Sequence, residues 1–397
     1  MHALARAAVR TPLRPEPHQV VYLWPPIFTA QRPNVIEPID LSQTIATAVD
    51  DRGEIAVVDG FGRPLEDLRL SVIDQCNFRC TYCMPRADFG PDYSFLPPSE
   101  RLTFDQMTQL AKAFASVGVK RIRLTGGEPL LRRDIESLVE RLAAIKTTTG
   151  QPMEVALTTN GTLLASKAQS LRDAGLTRVT VSLDALDDAV FRRLCDTEVS
   201  VTRVLDGIFR ARLAGLEPVK VNAVIERGVN EDQILPLVKL FKGTGVVLRF
   251  IEYMDVGGAT AWASNKVVTA DEMRERIESV FPLVAHESQA HSTARAFSHV
   301  DGSGELGFVA SVSQPFCGDC SRARVSSDGQ LYTCLFATKG INLKPWLSTD
   351  VSAEQLAGEI RSQWAARVDR YSERRAASQE AGGRRRYPTV RMSLVGG

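Results

Sequence analysis

The stretch Leu68-Arg69-Leu70-Ser71-Val72-Ile73-Asp74-Gln75-Cys76-Asn77-Phe78-Arg79-Cys80-Thr81-Tyr82-Cys83 decides how this chain is read. Its first six residues form a strand-like apolar run. Its last eight place three thiols at C-x3-C-x2-C spacing. A closed site takes four protein ligands, so three are one too few. A [4Fe–4S] cluster held this way keeps one iron open to a small molecule. The competing readings are a structural zinc and a disulfide. Zinc would want a fourth ligand nearby, and no histidine lies between His18 and His286. A disulfide fits poorly in a long chain with seven cysteines and no pattern of a secretory signal.

Outward from this stretch, short apolar runs alternate with helical stretches. Strands are expected over 68–73, 121–125, 154–159, 178–182, 218–225 and 246–253. Helices are expected over 104–117, 135–146, 163–174, 203–213 and 233–241, where apolar residues recur at three and four positions. Six strand–helix units imply a parallel sheet with crossover helices. Periodicity alone fits an incomplete barrel or an open sheet. Residues 267–312 suggest a helix followed by short antiparallel strands.

The chain has 397 residues, 44% of them hydrophobic, enough for a sizeable core without disulfides. Lys plus Arg is 48 and Asp plus Glu is 47, so the charge balance asks for neither a nucleic acid nor a membrane partner. No apolar run is long enough to span a bilayer. Six cysteines fall into two triplets, Cys76/Cys80/Cys83 and Cys317/Cys320/Cys334, and Cys195 reads as a small buried hydrophobe. Such thiol usage suits a reducing compartment, and a cytoplasmic location is expected.

The first 36 residues carry four Arg and one acid, the balance of a transit peptide, which would place the protein in the mitochondrial matrix. Their prolines and the lack of an amphipathic run favour a disordered extension over 1–58. The expected organisation continues with a barrel segment over 59–255 and a C-terminal segment over 256–371. A flexible tail over 372–397 ends in Gly396-Gly397.

Polar residues recur at the C-terminal ends of the expected strands, the face where parallel α/β folds build sites. The second strand ends in Thr125-Gly126-Gly127-Glu128-Pro129, where paired glycines would let backbone approach a ligand and Glu128 would offer a carboxylate. The third ends in Thr158-Thr159-Asn160-Gly161 and the fourth in Ser182-Leu183-Asp184. The fifth carries Lys220 and Asn222, and the sixth ends in Glu252-Tyr253-Met254. Any one of these could be a helix cap; the set is better explained by one shared site.

The second triplet, in Cys317-Gly318-Asp319-Cys320-Ser321-Arg322-Ala323-Arg324 and on to Cys334-Leu335-Phe336, has C-x2-C-x13-C spacing. It could hold zinc with His291 or His299 as fourth ligand, or a second cluster with its own open iron. No G-x4-G-K-[ST] loop is present, so phosphate is not bound by a P-loop.

With Cys76/Cys80/Cys83, Tyr82 and the Gly-Gly-Glu-Pro run, the chain resembles the radical S-adenosylmethionine (SAM) superfamily. That resemblance implies SAM chelated to the open iron, reductive cleavage and a 5′-deoxyadenosyl radical that abstracts hydrogen. From Asp59 onward the chain is similar to the GTP 3′,8-cyclase family of molybdenum-cofactor biosynthesis. This likeness is carried by Gly62-Arg63-Pro64-Leu65, Arg249-Phe250-Ile251-Glu252-Tyr253-Met254 and the Cys317–Phe336 segment. It implies an incomplete (βα)6 barrel of TIM type, with a C-terminal α+β extension carrying a second [4Fe–4S] cluster.

By the same resemblance, Tyr82, Gly127, Ser182 and Met254 bind SAM. Arg69, Arg123, Thr158 and Lys220 bind GTP, and Arg322 and Arg324 take its triphosphate. The Gly396-Gly397 tail enters the site and is needed for turnover, with Arg391 bringing charge near a phosphate. Implied partners are GTP, an electron donor of flavodoxin or ferredoxin type, a downstream cyclic pyranopterin monophosphate synthase, and a second copy in a homodimer. A radical SAM enzyme acting on a peptide is the alternative. Ile73 and Gln75 depart from the usual Thr and Arg of the family, and neither is a ligand.

Overall fold

In a computed structural model the described residues are 47–49, 55–256, 262–287, 291–374 and 391–396. Most of the extension over 1–58, part of the tail over 372–397, and Gly397 lie outside them. β1 (Thr47–Val49) and β2 (Ile55–Val57) form a separate antiparallel pair. Six strands then alternate with helices. They run β3 (Asp67–Ser71), α1 (Phe104–Ser116), β4 (Arg121–Thr125), α2 (Ile135–Ala143), β5 (Glu154–Thr159) and α3 (Leu164–Asp173). After β6 (Arg178–Ser182) come two helices, α4 (Asp188–Cys195) and α5 (Val201–Leu213). β7 (Lys220–Ile225), α6 (Ile234–Phe241) and β8 (Val247–Glu252) complete the repeat.

β3 to β8 pair in parallel and in sequence order, as the crossover pattern requires. This is the incomplete (βα)6 barrel. After α7 (Ala270–Glu278), β9 (Leu283–Ala285), β10 (Arg295–His299) and β11 (Glu305–Val309) form an antiparallel set, and β11 runs parallel to β8. β12 (Arg322–Val325) joins the opposite edge, parallel to β3. β13 (Gln330–Tyr332) and β14 (Ile341–Asn342) follow it antiparallel. One sheet of twelve strands thus runs through both the barrel and the C-terminal segment. α8 (Ala353–Ala365) packs on α1.

The helices form for local reasons. In α1, Met107, Leu110, Ala111 and Phe114 are buried at i, i+3, i+4 and i+7, the stripe that faces the sheet. Thr103 and Gln106 close a capping box at its start, a device worth about 1 kcal/mol. Thr269 with Glu272 and Ser352 with Gln355 do the same for α7 and α8. On β3 and β4, Leu68, Leu70, Ile122 and Leu124 are fully buried, while Arg69 and Arg123 point to the opposite, inner face.

Candidate active site

The first cysteine loop leaves the C-terminal end of β3. The amides of Cys83 and Met84 both donate to the Cys80 carbonyl, a tight turn that keeps Cys80 beside Cys83. The amides of Arg79 and Thr81 donate to the carbonyls of Cys195 and Leu194, tying Cys80 to the end of α4. Cys195 is buried in the apolar core behind Cys80, as the sequence suggests. The Cys76 sulfur accepts from the Phe78 amide at 3.4 Å and from Asn160 Nδ2 at 3.9 Å. All seven cysteines are free thiols. Burial, together with the neighbouring Cys80 and Glu128, pushes the Cys76 thiol up to about 12.

The glycines of the Gly-Gly-Glu-Pro run have a structural task as well. They pack closely on the cysteine loop itself. The Gly127 amide donates to the Ile73 carbonyl at 2.7 Å and the Glu128 amide to Gln75 at 2.8 Å. A Cβ on Gly126 would stand 2.2 Å from the Ile73 carbonyl oxygen, and one on Gly127 2.1 Å from that of Gln75. Glu128 is not a carboxylate open at the rim. It is buried and accepts from the Thr159 hydroxyl and the amides of Asn160 and Leu130. Burial lifts it to about 7 against those bonds.

Two other strand-end acids are also structural. Glu252 accepts from the amides of Ala270, Val312 and Ser313 and from the Ser313 hydroxyl. Asp184 accepts from the Tyr82 hydroxyl at 2.7 Å and the Val224 amide at 2.8 Å. Asp184 thereby fixes the ring of Tyr82 beside the cysteine loop. Ser182 ends β6 and Met254 follows β8, on the same rim.

The inner face of the sheet is layered by charge. Lowest lies a balanced row: Arg322, Asp67, Arg121 and Glu154 stand in register on β12, β3, β4 and β5. Arg121 pairs with Asp67 at 2.9 Å and with Glu154 at 3.0 Å, and Arg178 pairs with Glu154 at 2.5 Å. Two residues higher, Arg324, Arg69 and Arg123 stand in register on β12, β3 and β4. On β7 and β8, Lys220 and Arg249 continue the cationic lining. None of these five makes an ion pair among the described residues.

Arg123 instead donates to the hydroxyls of Thr158 at 3.2 Å and Thr180 at 3.0 Å. Burial pushes Arg69 down to about 9, with Arg322 and Arg123 adding to the effect. Burial and its cationic neighbours lower Arg123 to about 10. Cations this close together, without an ion pair among the described residues, give the inner face a strongly positive potential.

The second triplet lies at the other end of the strands. Cys320 precedes Arg322, which is level with Asp67 at the start of β3, whereas Cys76 follows the end of β3. The cationic row therefore stands between the two triplets. Burial pushes the Cys320 thiol up, but the guanidiniums of Arg322 and Arg367 outweigh it and hold the thiol at about 6. Arg322 Nη2 lies 3.3 Å from the Cys320 sulfur. The Cys334 sulfur accepts from the Phe336 amide at 3.4 Å, the same Cys-x-Phe contact seen at Cys76.

Each triplet offers three thiols and so fits a cluster that keeps one iron open to a small molecule. Among the described residues no three His, Cys, Asp or Glu side chains converge as ligands of one ion do. Of the two histidines weighed as zinc ligands, His299 is buried edge-on to Phe281 and His291 pairs with Asp319 at 2.8 Å.

The tail enters this region. A short helix, Met392–Val395, lies against β3, and Gly396 is buried on Thr125. Arg324 donates to the carbonyls of Val395, at 3.3 Å, and Gly396. Arg391 does not stand by the cationic row. Its guanidinium stacks on Phe89 at 4.8 Å and Tyr93 at 4.9 Å, in the loop after Cys83. Gly397 lies outside the described residues.

Sequence reasoning singled out Arg69, Arg123, Thr158 and Lys220 but not Thr180 or Arg178, and it met Arg249 only inside a longer segment. Strand alternation could have found them, since each lies two residues from another inward position.

Residues 70–241 match the Radical SAM superfamily, and residues 246–373 match Molybdenum Cofactor Synthesis C. A GTP 3′,8-cyclase of Xanthomonas axonopodis pv. citri (strain 306) is 54% identical over 340 residues, 85% of this chain and 98% of the relative. A GTP 3′,8-cyclase of Staphylococcus aureus (strain JH9) is 46% identical over 343 residues, 86% and 99% of the two chains. Streptococcus suis SuiB, solved bound to S-adenosylmethionine, superposes with a TM-score of 0.53 at 17% identity, covering 76% of this chain and 68% of that one. That likeness is one of fold.

Proposed function

The chain belongs to the GTP 3′,8-cyclase family of radical SAM enzymes, which converts GTP to 3′,8-cyclo-7,8-dihydro-GTP in molybdenum-cofactor biosynthesis, and we propose that it does so with a [4Fe–4S] cluster on each cysteine triplet. The observation that carries this reading is the cationic row of Arg324, Arg69 and Arg123, level across three strands between the triplets. Cys76, Cys80 and Cys83 would hold the first cluster and Cys317, Cys320 and Cys334 the second. SAM held at the first would supply the one-electron chemistry needed to remove hydrogen from the ribose.

The chain's own residues bind and orient. Arg69, Arg123, Lys220 and Arg249, together with Arg322 and Arg324, receive GTP and its triphosphate, and guanidinium forks match its oxygens in bidentate fashion. Thr158 and Thr180 hold Arg123 in its inward rotamer. Arg324, whose donors rest on tail carbonyls, links substrate to the tail, and Arg322 does the same for the second triplet. Tyr82, Gly127, Ser182 and Met254 line the SAM side. The reaction draws on an external electron donor of flavodoxin or ferredoxin type. Its product passes to a cyclic pyranopterin monophosphate synthase. We place this chemistry in the cytoplasm; among the described residues no helix is long and apolar enough to cross a membrane.

Anaerobic incubation with GTP, SAM and a reductant, followed by mass analysis, tests the reading. Wild type should yield the cyclised nucleotide. Cys317→Ser should keep the first cluster and lose GTP conversion. Product at the wild-type rate from Cys317→Ser would remove the second cluster from the proposal.

Lys220 offers a second test. Burial, then Arg249, Arg178, Arg123 and Arg121, holds it down to about 7. At pH 8 it is mostly neutral in the free site, and a triphosphate restores its charge. GTP binding at pH 8 should therefore take up about one proton. Affinity should be highest below pH 7, where the lysine is already charged, and fall as pH rises toward the pKa of the complex. Calorimetric titration in two buffers of different ionisation enthalpy measures the uptake. It should vanish in Lys220→Met, and an unchanged uptake there would assign the proton elsewhere.

A further inference from the structure

Two arginines and two aspartates outside both cysteine segments meet beneath the second triplet. Asp59 and Arg63 come from the turn after β2, and Arg367 and Asp369 from the chain just after α8. Arg63 Nε donates to Asp59 Oδ2 at 2.6 Å, and Arg367 Nε to Asp369 Oδ1 at 3.0 Å. Arg367 Nη1 also reaches Asp59 Oδ2 at 3.3 Å, and Arg63 Nη2 reaches the Asp369 carbonyl at 2.9 Å. Asp59, Arg63 and Arg367 are buried. The Trp364 indole donates to the Arg63 carbonyl at 3.0 Å, and the Arg367 guanidinium stacks 4.5 Å over its ring. The side-chain charges of the four residues sum to zero.

Asp59 Oδ1 closes its own turn by accepting the amides of Phe61 and Arg63, and three further bonds of the cluster run to the cysteine segments. Arg63 Nη1 donates to the Cys317 carbonyl at 2.7 Å. Arg367 Nη1 donates to the Cys320 carbonyl at 2.8 Å. Asp369 Oδ2 accepts the hydroxyl of Thr333, the residue before Cys334, at 2.6 Å. Each cysteine of the triplet is thus tied, at its own backbone or its neighbour's side chain, to the same rigid group.

We propose that Asp59, Arg63, Arg367 and Asp369 are positioning residues that preset Cys317, Cys320 and Cys334 for their cluster. This rests on the two-cluster reading above. Partners of this kind fix the orientation of ligands that would otherwise sit on loops, and their loss weakens metal binding. A buried guanidinium removed from such a unit also leaves an aspartate uncompensated. The damage should therefore centre on the loop it braces.

The test uses the full chain in two backgrounds. With Cys76, Cys80 and Cys83 all changed to Ala, only the second triplet can load; with Cys317, Cys320 and Cys334 changed to Ala, only the first. Iron and sulfide are counted after anaerobic reconstitution, with the electron paramagnetic resonance spectrum of each reduced cluster. The first background should hold about four irons per chain. Adding Arg367→Met or the near-isosteric Asp369→Asn should remove at least half of them, with Arg367→Lys recovering part. The same substitutions in the second background should leave loading unchanged. Full loading of the second triplet in both variants overturns the brace while leaving two clusters intact. Equal loss in both backgrounds overturns it as well, because the four residues then serve general stability. No iron in the first background overturns the two-cluster reading, and the brace with it.

Discussion

Cys80→Ser should abolish the release of 5′-deoxyadenosine from SAM while leaving the fold intact. Cys80 is the hub of the first loop. Its carbonyl receives the amides of Cys83 and Met84, and the residues on either side of it are bonded to the end of α4. None of these backbone bonds involves its sulfur, a serine hydroxyl can keep the side-chain contact with Cys195, and serine nearly matches cysteine in volume, so the loop should keep its shape. What is lost is the soft thiolate. A serine hydroxyl stays protonated at neutral pH and is a poor ligand for iron–sulfur clusters. Circular dichroism should match wild type, and chromatography of anaerobic reaction mixtures should show no 5′-deoxyadenosine above background. Release at the wild-type rate would mean that Cys80 is not a ligand.

Gly127→Ala should be nearly as damaging, by a different route. The added Cβ would stand 2.1 Å from the carbonyl oxygen and 2.4 Å from the carbonyl carbon of Gln75. These are backbone atoms, and they cannot swing aside as a side chain can. The adjoining bonds, Gly127 to Ile73 and Glu128 to Gln75, stitch β4 to the start of the cysteine loop. Relief must therefore move Gln75, and Cys76 moves with it. Overpacking of this kind costs about 3 kcal/mol, and more where the backbone must shift. A lower melting temperature and a loss of iron from the first cluster should appear together. Gly318→Ala is the control inside the other triplet, because nothing lies within 4 Å of its Cβ position. Equal stability of the two variants would refute the steric argument.

Much of this arrangement was legible because it is local. The expected strands over 121–125, 154–159 and 178–182 coincide with β4, β5 and β6, since each is an apolar run bounded by turn residues. The cysteine spacings lie within single loops and read directly. α4 escaped notice: it has only eight residues, and Arg192 and Arg193 interrupt its apolar pattern. Glu128 and Glu252 were grouped with the site by their place at strand ends. Burial and backbone donors, which depend on the folded neighbourhood, make them braces instead. Arg391 was assigned to phosphate by its charge, but its partners are Phe89 and Tyr93, about 300 residues earlier in the chain. Pairings between distant segments, such as β12 with β3, leave no periodic trace in either strand.

That pairing of β12 with β3 also sets an order of events during synthesis. Arg69 leaves the ribosome early, and Arg324, its neighbour in the row, only near the end. Arg63 must likewise wait for Cys317, 254 residues later. The loop that brings such segments together is among the longest the chain closes, and long-range closures come late in folding. A nascent chain that has emerged only through β8 carries the first triplet but neither Arg324 nor the tail. It could acquire the means to generate a radical before it has the means to aim it. The closing strand thus joins two distant segments of the polypeptide, and the cationic row is complete only when β12 has paired with β3.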